Sequence, residues 1–77
     1  KFYAYAFRTV DRASVVVAWA APGQSFALGE TPGLEQTDFL GNPLNRTTLN
    51  SSPIVFVSDR RVSPRQALER VLDAISY

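Results

Sequence analysis

The side chains in this sequence that could carry chemistry are few, and the missing types decide as much as those present. There is no cysteine and no histidine. That removes disulfides, thiolate nucleophiles, the usual zinc ligands and any serine-histidine or cysteine-histidine pair from within the chain. Glu30, Glu35 and Asp38 are the carboxylates nearest to one another in a turn-rich region. Glycoside hydrolysis needs two such groups about 5 to 10 Å apart with a pocket between them. These three sit in loop-like or edge-like stretches with no aromatic floor nearby, and they read as turn-capping and solvated groups. Ser51 and Ser52 have no histidine to activate them, and the glycines show no phosphate-cradling spacing. The residues therefore predict no catalytic constellation, no metal site and no cofactor.

Aromatic side chains are the other chemical handle, because Tyr and Trp faces stack on sugars or bases while their tips still hydrogen-bond. Tyr3, Tyr5 and Trp19 are the candidate ligand-binding residues. Each has a plainer reading: Trp19 as core, and Tyr3 and Tyr5 as packing against a neighbouring domain. Arg60, Arg61 and Arg65 form the one local basic cluster and read as a solvated approach to a helix. Eight basic and seven acidic side chains leave a net charge of +1 with no long single-sign run. Neither a nucleic acid nor an anionic membrane surface is expected as a partner. "NRT" at Asn45 and "NSS" at Asn50 fit the N-glycosylation pattern.

The elements that must position these groups are mostly strands. "FYAYAFR" (2–8) and "ASVVVAWA" (13–20) are rich in β-branched and aromatic residues, and a loop of about four residues between them predicts an antiparallel hairpin. In that register Phe2 faces Trp19, Ala4 faces Val17 and Ala6 faces Val15. "SVVVAWA" is apolar almost throughout, which predicts cover on both faces. Pro22-Gly23 marks a tight turn, a short strand follows near 25–28, and "LEQTDF" (34–39) reads as a polar edge strand. Asp38 with Gly41, Asn42 and Pro43 predicts a turn, "LNRTTL" (44–49) a further strand, and "PIVFVS" (53–58) a buried strand. The period then changes to 3.6. Ser63 is the expected N-cap, Pro64 the first helical residue, and Gln66 completes a capping box. Leu68, Val71, Leu72 and Ile75 form the predicted apolar stripe, a surface for the β-domain or for a partner chain.

The predicted fold class is mainly β: a small antiparallel β-sandwich or sheet of about six strands with one C-terminal α-helix. Residues 1–58 make the β-domain and 59–77 the amphipathic helical tail. The 77 residues allow one domain that buries roughly 60 to 65% of its unfolded surface, so support from a partner is expected. No apolar run approaches the roughly 20 residues of a bilayer span, and the chain reads as soluble. It has no methionine and opens at Lys1 directly into an aromatic run, which is expected of a piece of something longer.

In order, "YAFRTVDRASVVVAWAAPG", "TDFLGNPLN" and "SSPIVFVS" resemble the C-terminal β-domain that accompanies the catalytic barrel of many glycoside hydrolases. Val15 to Ala20, Asp38, Gly41, Asn42 and Pro53 to Val57 occupy the places of that family's motifs, and the terminal helix departs from its pattern. The resemblance implies a non-catalytic accessory domain that buries an apolar face against a (β/α)₈ barrel. It also implies a secreted or periplasmic location through the parent enzyme. The family's catalytic glutamates have no counterpart here. Two other classes stay open: a protein interaction or assembly module, and a carbohydrate-binding module using Tyr3, Tyr5 or Trp19.

Overall fold

The computed structural model describes residues 1–11, 13–59 and 61–76, the last by its backbone alone. Arg12 of the first hairpin loop and Arg60 of the basic cluster lie outside the described residues. The described residues form two antiparallel sheets and one helix. β1 (Phe2–Arg8) and β2 (Ser14–Ala20) form the first hairpin, and β6 (Ile54–Ser58) and β4 (Glu35–Thr37) complete a main sheet of order β1-β2-β6-β4. A smaller sheet has the order β5-β3-β7, from Thr48–Leu49, Phe26–Leu28 and Ile75–Ser76. The mainly-β class with a C-terminal helix is as the sequence predicts.

The hairpin register is not. Phe2 pairs with Ala20, Ala4 with Ala18 and Ala6 with Val16, while Tyr3, Tyr5 and Phe7 pair with Trp19, Val17 and Val15. The connecting loop is longer by one residue. The Thr9 N–H bonds the Ala13 carbonyl at 2.9 Å, and the Thr9 hydroxyl accepts from the Ala13 N–H at 3.2 Å. That single residue re-pairs the two strands, because side chains alternate with a period of two. Phe2 and the alanines of β1 now share a face with Val16, Ala18 and Ala20, and every aromatic of 3–7 shares the other with Val15, Val17 and Trp19.

The first of these, the inner face, carries the core. Val16, Ala18, Ala20, Ile54 and Phe56 are buried there against Leu28 and Leu49 of the small sheet and against the helix α1 (Pro64–Ala74). Ala4 and Ala6 pack against the same cluster. Small side chains at these positions let a helix approach the sheet closely, and Ala67, Val71 and Ala74 are the buried residues it presents. The radius of gyration is 11.4 Å, close to the roughly 11.5 Å expected of a compact chain of this length. No helix among the described residues is long and apolar enough to cross a membrane.

Local signals hold in several places. Ser63 accepts from the Gln66 N–H at 3.1 Å while its own N–H donates to the Gln66 side chain at 3.0 Å, the expected capping box. Gln24 N–H closes the Pro22-Gly23 turn on the Ala21 carbonyl at 3.0 Å. "LNRTTL" differs from the expected strand, since only Thr48–Leu49 is extended into a ladder. Its first half runs beside β4 instead. Thr37 bridges Pro43, the Leu44 N–H donates to the Gln36 carbonyl at 2.9 Å, and the Gln36 side-chain amide bonds both the N–H and the carbonyl of Arg46. A side chain here replaces ladder bonds that the proline-containing segment does not supply.

The inner face has one polar row. Ser14 and Ser58 are cross-strand partners and both buried. The Ser14 hydroxyl donates to the Val62 carbonyl, and the Ser58 hydroxyl donates to the Ser14 carbonyl at 3.2 Å. This pair ties the stretch leading into α1 to the sheet.

Candidate docking face

The outer face of the main sheet consists of cross-strand rows fixed by the register. One row is Phe7, Val15, Val57 and Glu35; the next is Tyr5, Val17, Val55 and Thr37; Tyr3 and Trp19 make the third. Eight of these ten side chains are apolar or aromatic, and the polar pair sits together on β4. Tyr5 is 61% exposed and Phe7 48%. Tyr3, Val17, Trp19, Val55 and Val57 are half-buried, and Val15 is buried between its row neighbours. The buried cluster contains none of them, because α1 and the small sheet pack on the opposite side. Eight apolar positions at about 4.8 Å by 6.7 Å each cover roughly 260 Å² of flat area, a little less than the largest apolar patch of a typical monomer, about 300 to 600 Å².

The three aromatic candidates meet on this face. Tyr3 and Trp19 stack with centroids 5.5 Å apart and planes at 28°, and Tyr5 lies 5.6 Å from Trp19 at 34°. Lys1 Nζ sits 5.6 Å from the Tyr3 ring centre, within reach of the ring's negative face. Rings that stack on one another use their faces internally. A sugar platform instead requires faces aligned side by side and turned outward. The cluster therefore suits an apolar partner surface better than a pyranose ring.

The helix residues, expected to meet either the β-domain or a partner chain, lie away from this face and mostly against the β-domain. Val71 and Ile75 are in the chain's own core, Leu68 packs against that core, and Leu72 is 37% exposed. The buried stripe runs through Ala67, Val71 and Ala74, one position before the predicted line at two of its steps. Alanines sit there because the helix lies close to the sheet, a requirement that hydropathy does not reveal.

The carboxylates separate into two settings. Glu30 and Glu35 are exposed and line one open cleft of about 720 Å³, between the β3–β4 loop and residues 43–47. Leu28, Leu34 and Leu44 supply its apolar wall, and no aromatic ring lines it. Asp38 belongs to the turn. Its carboxylate accepts from the N–H of Leu40 at 2.8 Å, the N–H of Asn42 at 2.9 Å and the Asn42 side-chain amide at 3.1 Å. The Asn42 N–H first, then the Asn42 side chain, hold the Asp38 carboxyl below its ordinary range against a smaller opposing desolvation. Gly41 closes the turn with φ +86°, where a side chain would be strained. The turn holds Phe39 and Leu40 outward, 69% and 87% exposed. It leaves β4 at the end of the sheet where Tyr3 and Trp19 lie, since β4 continues past Thr37 in the direction that β2 takes past Val17.

Ser51, Ser52, Asn45 and Asn50 are exposed. Asn50 Oδ1 accepts from the Ser52 N–H at 2.9 Å and from Arg46 Nη2 at 2.6 Å, while the Arg46 guanidinium also bonds the carbonyls of Thr48 and Ser52. Arg61 and Arg65 are both exposed. Among the described residues no group of three or more Asp or Glu is placed to hold a metal ion.

Sequence reading did not single out Phe7, Val17, Val55 or Val57 as one surface. The signal was present as the two-sided apolarity of "SVVVAWA" and the paired valines of "IVFV", but the register that unites them depends on the loop. Compared with known proteins, the chain matches no family model, no curated protein and no solved structure, so its fold and this face stand on their own residues.

Proposed function

We propose that this chain is a non-catalytic accessory domain that applies the outer face of its main sheet to a larger folded domain and steadies it. The observation that carries this reading is the apolar, uncovered outer face opposite a face already filled by the chain's own helix and small sheet. Among the described residues, α1 and the small sheet are both spent on the inner face. The resemblance to glycoside hydrolase C-terminal domains supplies the candidate partner, a (β/α)₈ catalytic barrel. A secreted or periplasmic location would follow from such a parent enzyme.

The test compares the 77-residue chain alone with the full product of the gene that encodes it, by hydroxyl-radical footprinting; a full product no longer than the chain itself also overturns the reading. Tyr5, Phe7 and Trp19 are expected to oxidise readily in the short chain and to be protected at least severalfold in the long one. Equal reactivity in both, or a long product with no barrel-like run of alternating strands and helices, sinks the proposal. The rival reading that these aromatics raise is a carbohydrate-binding module, which their mutual packing disfavours. Titration of oligosaccharides against Trp19 fluorescence separates the two, because docking to a protein surface leaves the emission unchanged across a panel of glycans.

A further inference from the structure

The two edges of the main sheet are built differently. β4 is three residues long, is polar throughout, and has its open side occupied by the Pro43 bridge, the Leu44 N–H and the Gln36 amide clamp on Arg46. Short length, polar side chains and a covering segment are the devices by which proteins close a sheet edge to other strands. Among the described residues, β1 shows none of them from Tyr3 to Phe7. It runs seven residues in unbroken register with β2, without proline or bulge, and carries no charge between Lys1 and Arg8.

The direction of its peptide groups follows from the bonds at its two ends. Ala21 N–H donates to the Lys1 carbonyl and Thr9 N–H to the Ala13 carbonyl, both at 2.9 Å. Odd-numbered residues of β1 thus bond β2, and the alternation of an antiparallel ladder turns the N–H and carbonyl groups of Ala4 and Ala6 away from it, toward the open edge.

We propose that β1 is a strand-pairing edge through which two copies of this chain join antiparallel, two-fold about Tyr5, into one continuous eight-stranded sheet. In that register Ala4 exchanges both ladder bonds with Ala6 of the second copy, Tyr3 opposes Phe7 of the second copy, and the two Tyr5 side chains meet across the axis. A second copy fits this edge because the edge is self-complementary. Its outward peptide groups fall symmetrically about Tyr5, aromatic meets aromatic on one face, and alanine meets alanine on the other. The charges are compatible as well. Lys1 falls on the outer face and Arg8 on the inner, so no like charges stand directly opposite.

The area sets the strength. Seven residues at about 3.3 Å each, in a layer about 10 Å thick, present roughly 230 Å² per copy. That is well below the roughly 800 Å² per partner of a stable complex, so the pairing belongs to the weak, concentration-dependent class. The two-fold axis is perpendicular to the sheet, so both outer faces point the same way. Pairing therefore makes the chain bivalent toward whatever covers that face, where avidity compensates for weak individual contacts.

Sedimentation velocity from about 10 µM to about 1 mM, the range in which an interface of this size is expected to associate, should show a monomer giving way to a dimer. Tyr5→Lys and Tyr5→Glu, at an exposed position, should each weaken self-association about tenfold or more. Mixing the two in equal amounts should restore it, because opposite charges then meet across the axis. Val57→Lys, on the outer face but two strands from the edge, should leave self-association intact while abolishing the protection described under the proposed function. A wild-type chain that stays monomeric throughout the range overturns the inference, as does a mixture that fails to recover. Loss of the dimer in Val57→Lys also overturns it, since the copies would then be meeting face to face.

Discussion

The main sheet has two apolar faces with opposite fates. Its inner face is built from alanines, Val16, Ile54 and Phe56 and disappears under α1 and the small sheet; its outer face gathers four aromatics with four valines, of which all but Val15 keep contact with solvent. Side-chain size separates the two. Where the chain covers itself, small residues bring the covering helix close. Where it does not, aromatic residues stand on the surface, the residue types on which the proposed docking rests. Hydropathy alone does not distinguish them, because both score as buried strand.

Phe56→Ala is the largest test of this contrast. Emptying a fully buried aromatic site costs about 3 to 5 kcal/mol, against a total of about 4 to 12 kcal/mol expected for a domain of this length. Urea unfolding should show a midpoint lowered by about a quarter at the least. Tyr5→Ser on the opposite face should cost about 1 kcal/mol or less, the scale of one exposed aromatic pair. Comparable losses for the two variants would mean that the outer face is core in its own right.

Ser14→Ala comes next and probes the one polar row of the inner face. The change removes the hydroxyl that donates to the Val62 carbonyl while leaving the Ser14 carbonyl for Ser58. A cost of about 1 to 2 kcal/mol is expected, typical of a hydrogen bond lost from a part-buried site. Hydrogen exchange should show the loss concentrated in the approach to α1. Uniform destabilisation across the outer-face strands would instead mean that the two faces are not separable. Ser63→Ala should cost about 1 kcal/mol through the capping box, read as fraying of the first helical turn with no change in Trp19 fluorescence.

Much of this was legible in the chain. The capping box, the Pro22-Gly23 turn and the Asp38 turn are local, and each is fixed by residues within four positions of one another. The strands β1, β2 and β6 were legible from β-branched and aromatic content. What escaped is what depends on distant partners. One extra loop residue between Arg8 and Ser14 decided which aromatics face which valines. The closeness of helix to sheet moved the buried stripe onto Ala67 and Ala74, and an amide side chain at Gln36 turned the expected strand at 44–47 into a clamped segment. The outer face inherits this division: its members are visible as apolar residues, and their union is not.

The smallest effect is expected at Asp38, at the end of the sheet where the outer face meets the exposed Phe39-Leu40 tip. The folded carboxyl is held below its ordinary value of 3.8 by the Asn42 N–H and side chain. Its contribution is therefore fully present above that value and fades as the pH falls through the lower, folded one. Amide shifts of Leu40 and Asn42 followed by NMR on acidification should move together at a pH below 3.8, ahead of any change at Phe56 or Val16. Asp38→Asn should abolish that titration. It keeps one acceptor oxygen for the two N–H groups and loses the charge, so the turn should loosen while the sheet stays intact. If the long product still protects Trp19 from oxidation in Asp38→Asn but no longer protects Phe39, the turn belongs to the margin of the docking face. Unchanged protection at both would confine that face to the strands.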